Sequence, residues 1–162
     1  MSVCLLSECA LAEARTSDDF AHARRLFRAY AEWLEVDLCF QGFERELSEL
    51  PGCYARPEGR LLLAWVGSEV VGCVGLRPLE PGICEMKRLW VEPGFAGRGI
   101  GRRLTETIIE RAREIGFRRM RLDTIPERMP AAQHLYAALG FREIPAYYHS
   151  PLAGVVMLEL EL

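Results

Sequence analysis

Residues 83–115 constrain the fold more than any other part of the chain. The segment ICEMKRLWV, residues 83–91, runs into Glu92-Pro93-Gly94 and then into the turn GFAGRGIG. After it the apolar residues Ile100, Leu104, Ile108, Ala112 and Ile115 recur at helical spacing, and Gly116 follows as a C-cap. This order predicts a strand, a glycine turn and an amphipathic helix. Glycines at 97, 99 and 101 let the backbone approach a ligand, while a helix start offers unpaired N–H groups at the positive end of its dipole. Such a turn suits a phosphate. The dinucleotide pattern GxGxxG would need glycine where Arg102 stands, and no Gly-Lys-Ser/Thr follows to make a Walker loop. Taken alone, the turn also fits simple tight packing.

The flanking sequence supplies the rest of one α/β domain over residues 1–162, without repeats, low-complexity tracts or linkers. Ser17-Asp18-Asp19 starts a helix that carries Phe20, Phe27, Tyr30, Ala31 and Leu34 on one face. A shorter helix covers about 43–50 and stops at Pro51-Gly52. RLLLAWV (60–66), the turn Gly67-Ser68 and EVVGCVGLR (69–77) read as a hairpin, with 83–91 as the next strand. Further on, 118–123 reads as a strand, 130–139 as a helix closed by Gly140, and about 142–148 and 155–161 as two last strands. Strands first, then alternation, predicts a mixed, mostly antiparallel sheet of about six to seven strands with helices on both faces.

Charge narrows the function classes. The net charge is −3, yet residues 86–121 carry +6 while residues 1–58 carry −5. A local basic region in an acidic chain suits an anionic ligand better than nucleic acid, which favours a basic domain with interleaved aromatics. Of the 20 basic residues, 19 are Arg and the exception is Lys87, a chemically different cation. Cysteines 4, 9, 39, 53, 73 and 84 form no CxxC pair and lie apart from the histidines, so no metal site is expected. They read as small buried hydrophobes in a reducing compartment. The N-terminus MSVCLLSECALAEA lacks a basic n-region, and Glu8 interrupts its apolar run, so it is not read as an export signal. No apolar run approaches the ~20 residues of a membrane span. The expected location is cytoplasmic, as monomer or homodimer, with no nucleic-acid or membrane partner.

LWVEPGFAGRGIGRRL, LDT after the next strand and AAQHLYAALGF together resemble the GNAT superfamily of acetyl-CoA-dependent N-acetyltransferases. The resemblance implies that family's fold, with acetyl-CoA as co-substrate. It places the pantetheine arm beside Leu89, Trp90 and Val91. The phosphates fall to the backbone of Ala96, Gly97, Arg98, Gly99, Ile100 and Gly101, with charge from Arg98, Arg102 and Arg103. Ala96 stands where family members carry Gln or Arg, and Met129 stands where many carry Asn. Tyr136 matches the tyrosine that protonates the departing thiolate, its alternative being a core tyrosine. Glu85 has the spacing of the family's catalytic base, its alternative being a structural ion pair.

The resemblance therefore implies acetyl transfer to a primary amine, directly within a ternary complex. The acidic residues of 1–58 favour a small cationic acceptor, with Lys87, Tyr147 and Tyr148 as candidate acceptor contacts. The second reading is a CoA-binding sensor or interaction module without turnover. Tyr136 favours the enzyme; Ala96 and Met129 favour the module. Alternation along strand 83–91 puts Glu85, Lys87, Leu89 and Val91 on one face, and Met86, Arg88 and Trp90 on the other.

Overall fold

The computed structural model describes residues 8–162. Its strands are β1 (Cys9–Glu13), β2 (Arg60–Val66), β3 (Glu69–Glu80), β4 (Ile83–Val91), β5 (Arg119–Thr124), β6 (Arg142–Ile144) and β7 (Val156–Glu161). The helices are α1 (Ser17–Leu34), α2 (Phe43–Glu49), α3 (Ile100–Ile115) and α4 (Pro130–Ala138). All seven strands form one sheet in the order β1-β2-β3-β4-β5-β7-β6. Its β4–β5 pairing is parallel and every other pairing is antiparallel. The connection between the parallel strands is the glycine turn plus α3, as a crossover requires.

Helices cover both faces. The apolar stripe of α3 (Ile100, Leu104, Ile108 and Ala112) packs with Met86, Met120 and Leu122 of the sheet and with Tyr136 of α4. Leu26 and Phe27 of α1 and Leu47 of α2 pack on the opposite face against Leu61, Leu63 and Cys73. Full burial of each such side chain contributes about 1.5–3 kcal/mol. Gly75 is needed for this second layer, because a Cβ there would meet the Tyr54 ring at 2.6 Å.

Several expectations are corrected in detail. Thr16, not Ser17, caps α1, accepting from the Asp19 N–H at 3.1 Å while the Asp19 carboxylate accepts from the Thr16 N–H. Strand β1 went unread: five residues with two alanines carry little β signal, and pairing with β2 is what extends them. The strand expected over 142–148 stops at Ile144, where Pro145 cannot donate to a ladder. Cys9, Cys73 and Cys84 are buried as expected, but Cys39 and Cys53 are exposed; Cys4 lies outside the described residues, as does the first half of the segment weighed as an export signal. Among the described residues, no helix is long and apolar enough to cross a membrane.

The strict alternation along β4 also fails. Between the pairs Cys73–Trp90 and Gly75–Lys87, three steps on β4 oppose two on β3. The extra residue is accommodated at Arg88, whose φ is +61°. Leu89 and Val91 therefore join Met86 on the α3 face. Trp90 turns to the α1 face, packing edge-on to Tyr30 and against Trp33.

At the sheet edge, Glu13 of β1 accepts from Arg56 Nε and Nη2, both at 2.7 Å. The Arg56 hydrogen bond, outweighing partial burial, holds the Glu13 carboxyl below its usual 4.5. A depressed carboxylate stabilises the fold above its unfolded pKa and loses that effect as pH falls through the folded one. Amide exchange in β1, corrected for intrinsic rates, should accelerate once pH drops below 4.5, with Glu13→Gln showing the faster exchange already at neutral pH. PH-independent protection of β1 would contradict this.

Candidate active site

β4 and β5 pair only at Ile83–Arg119, Cys84–Met120 and Glu85–Arg121. Beyond Glu85 the strands diverge, so among the described residues the edge of β4 from Met86 onward has no strand partner on the β5 side. The bulge at Arg88 adds to this splay. The gap is a cleft with a cavity of about 50 Å³, lined from β4 by Met86, Lys87, Arg88 and Leu89, and from β5 by Leu122, Asp123 and Thr124. Tyr30 and Leu34 of α1 line one side, and Met129, Ala132 and Tyr136 line another.

The glycine turn leads from β4 into α3. Gly97 and Gly99 both have φ +77°, a conformation costly for any residue with a Cβ. Gly99 is the N-cap, and no side chain among the described residues caps the helix. The first intrahelical bond runs from the Arg103 N–H to the Gly99 carbonyl at 3.1 Å. The N–H groups of Ile100, Gly101 and Arg102 therefore have no intrahelical acceptor. Arg98 lies over the Phe95 ring at 4.9 Å. Arg102, exposed, pairs with Glu106 at 2.9 Å. Arg103 turns away to the Cys9 carbonyl at 2.7 Å, and Ala96 is exposed beside the turn.

Tyr136 is buried on α4 against Phe141, and lack of solvation raises its phenol pKa, so it stays a hydroxyl donor at neutral pH. Tyr30 is pushed up to about 12 for the same reason. Glu85 is 1 % exposed, outside the cleft lining, with both oxygens engaged. Oε1 accepts from Arg77 Nη2 at 2.6 Å and Nε at 2.8 Å, and Oε2 accepts from the Tyr147 hydroxyl at 2.6 Å. Lys87 Nζ lies 3.8 Å from Oε1 and donates to Gln41 Oε1 at 3.3 Å.

The neighbouring Tyr148 hydroxyl donates to Asp123 Oδ2. Tyr147 and Tyr148 thus pin the segment after β6 onto β4 and β5. Arg88 is neutralised from α2 through two 2.9 Å hydrogen bonds to Glu46. The structure brings Lys87, Leu89 and Tyr136 to one cleft, whereas the Trp90 indole faces the opposite layer.

Asp123, Thr124, Arg77 and Gln41 were missed as site residues. LDT marked Asp123 and Thr124 only as part of a motif, and the other two meet the site through tertiary packing. Five of the eleven acids of residues 1–58 serve structural contacts: Glu13 with Arg56, Asp19 in the α1 cap, Glu44 with Arg28, Glu46 with Arg88 and Glu49 with Arg45. None of them lines the cleft.

The splayed parallel pair and the uncapped helix start fit a ligand with an amide-bearing arm and phosphates: the arm has an open strand edge to pair with, and the phosphates have free N–H groups. Over residues 16–141 the chain matches the Acetyltransferase (GNAT) family. It belongs to that family and is an acetyl-CoA-dependent N-acetyltransferase. It is 34 % identical over 158 residues to an uncharacterized N-acetyltransferase of Schizosaccharomyces pombe, covering 96 % of both chains. The fold matches an acetyltransferase from Streptococcus agalactiae with TM-score 0.79 at 21 % identity, over 96 % of this chain and 99 % of that one. It also matches an N-acetyltransferase from Thermoplasma acidophilum in complex with coenzyme A, with TM-score 0.73 at 15 % identity, over 95 % of this chain and 99 % of that one.

Proposed function

We propose that the chain moves the acetyl group of acetyl-CoA directly to the primary amine of a small acceptor. The observation that carries this reading is the cleft itself: an unpaired β4 edge with Tyr136 on one wall and Asp123 with Lys87 on another. Leu89 to Val91 would hold the pantetheine arm through their backbone, Trp90 included. Gly97 to Arg102 would hold the phosphates, and Arg98 would add charge. The nitrogen attacks the thioester carbonyl, the C–S bond breaks, and the amine's proton must leave. The Tyr136 hydroxyl donates to the departing sulfur.

Two carboxylates compete for the amine's proton. Asp123 lines the cleft, and only its Oδ2 receives a side-chain donor among the described residues. This reading gives Asp123 the proton and makes Glu85 a positioning residue for Lys87 and Tyr147. Among the described residues no cysteine lines the cleft, which supports direct transfer over an acetyl-thiol enzyme. The five described cysteines are free thiols, which supports action in the reducing cytoplasm.

Acetyl-CoA at about 100 times its Kd should stabilise the protein by ~2.7 kcal/mol. Gly99→Asp puts a carboxylate at the helix start and disfavours the backbone there, so it should abolish the shift. The parent should also release CoA thiol when amines are supplied. A Gly99→Asp variant that keeps the full melting shift would remove the phosphate-loop assignment. A parent that binds acetyl-CoA but releases no thiol with any amine would make the chain a binding module.

A further inference from the structure

Two polar groups in the cleft lack the partners that burial demands. The Lys87 side chain is 5 % exposed, and among the described residues its ammonium makes one hydrogen bond, to Gln41. Glu85, at 3.8 Å, lies beyond hydrogen-bond distance and is already held by Arg77 and Tyr147. An ammonium has three donors, so two are left without a protein acceptor among the described residues. Thr124, 3 % exposed, has an Oγ1 with no hydrogen-bond partner among the described residues. Lys87, Thr124 and Asp123 all line one cavity, and Lys87 and Asp123 form no ion pair with each other among the described residues.

Opposite charges facing a shared cavity without closing on each other suit a ligand that carries both. A buried ammonium with one hydrogen bond is costly unless something arrives to complete its shell. Arg88, the other cation in the lining, is already matched by Glu46. Apolar Leu34, Leu38, Leu152 and Val155 complete the wall.

We propose that the acceptor bears a carboxylate beside its amine, as a free amino acid does, with Lys87 receiving the carboxylate and Asp123 the amine. This rests on the transfer reading above and replaces the cationic acceptor expected from the charge of residues 1–58.

The test follows thiol release by the full chain with acetyl-CoA and three kinds of probe: the standard L-amino acids, decarboxylated counterparts such as 3-methylbutylamine and phenethylamine, and spermidine. At least one amino acid should exceed its decarboxylated counterpart about 10-fold or more in kcat/KM, and Lys87→Met should shrink that ratio ~10–100-fold, chiefly through KM. The same amino acid should raise the melting temperature in the presence of CoA, and Lys87→Met should lose this rise while keeping the acetyl-CoA shift. Spermidine or decarboxylated amines serving as well as amino acids would overturn the carboxylate and leave acetyl transfer standing. An equal loss on both probe classes in Lys87→Met would overturn the role of Lys87. A chain that releases thiol with none of the probes, and shows no melting shift from any amino acid, would overturn both readings.

Discussion

Asp123→Asn is expected to lower kcat about 10²–10⁴-fold, the contribution of a positioned proton acceptor, with acetyl-CoA affinity nearly unchanged. The substitution keeps side-chain shape and leaves a carbonyl oxygen to accept from the Tyr148 hydroxyl, so its local scaffold persists. What it removes is the group that can take a proton from an amine in the cleft. The deficit should narrow at high pH, where more of the free amine is already neutral.

Glu85→Gln should behave differently. It leaves the buried end of Arg77 with a weaker partner, so it should lower stability first, and at permissive temperature its kcat should stay near the parent's. Steady-state rates of both variants across pH decide between the carboxylates. A large kcat loss in Glu85→Gln beside an active Asp123→Asn would assign the proton to Glu85.

The largest stability effect is expected from Glu46→Ala. Arg88 is 3 % exposed on the bulge of β4, forks onto both Glu46 oxygens at 2.9 Å, and stacks over the Phe43 ring at 5.2 Å. The Tyr54 hydroxyl also donates to Glu46 at 3.0 Å. Burial works against the Glu46 charge, but Arg88 and Tyr54 together still hold its carboxyl below the usual range. Truncating Glu46 leaves the guanidinium buried and unpaired, which typically costs about 3–5 kcal/mol. For a chain of this size that lowers the melting temperature by on the order of 10 °C. The double variant Glu46→Leu with Arg88→Met should recover much of the loss, because replacing both partners by apolar groups avoids the stranded charge. Thermal melts of the three proteins measure this. A Glu46→Ala protein that melts with the parent would show the pair to be dispensable.

Sequence periodicity determined most of the elements. The helical stripe of 100–115, closed by Gly116, formed as read, because an apolar stripe and a glycine terminator act within a few turns. The hairpin of β2 and β3 formed for the same local reason. The glycine turn was legible because φ +77° at Gly97 and Gly99 is a demand that the residue type itself expresses.

Tertiary structure decided what those local signals do not encode. β1 exists because β2 offers it a ladder, and Ala-rich sequence cannot announce that. The faces of β4 depended on one extra residue against β3, and a bulge is a property of the pair rather than of either strand. Lys87 and Asp123 lie far apart along the chain and meet only because β4 and β5 run parallel and then diverge. In the sequence Glu85 stood between two readings, the family's base and a member of a structural ion pair. Packing placed Arg77 from β3 and Tyr147 from beyond β6 on its two oxygens, and burial left no solvent to compete with them.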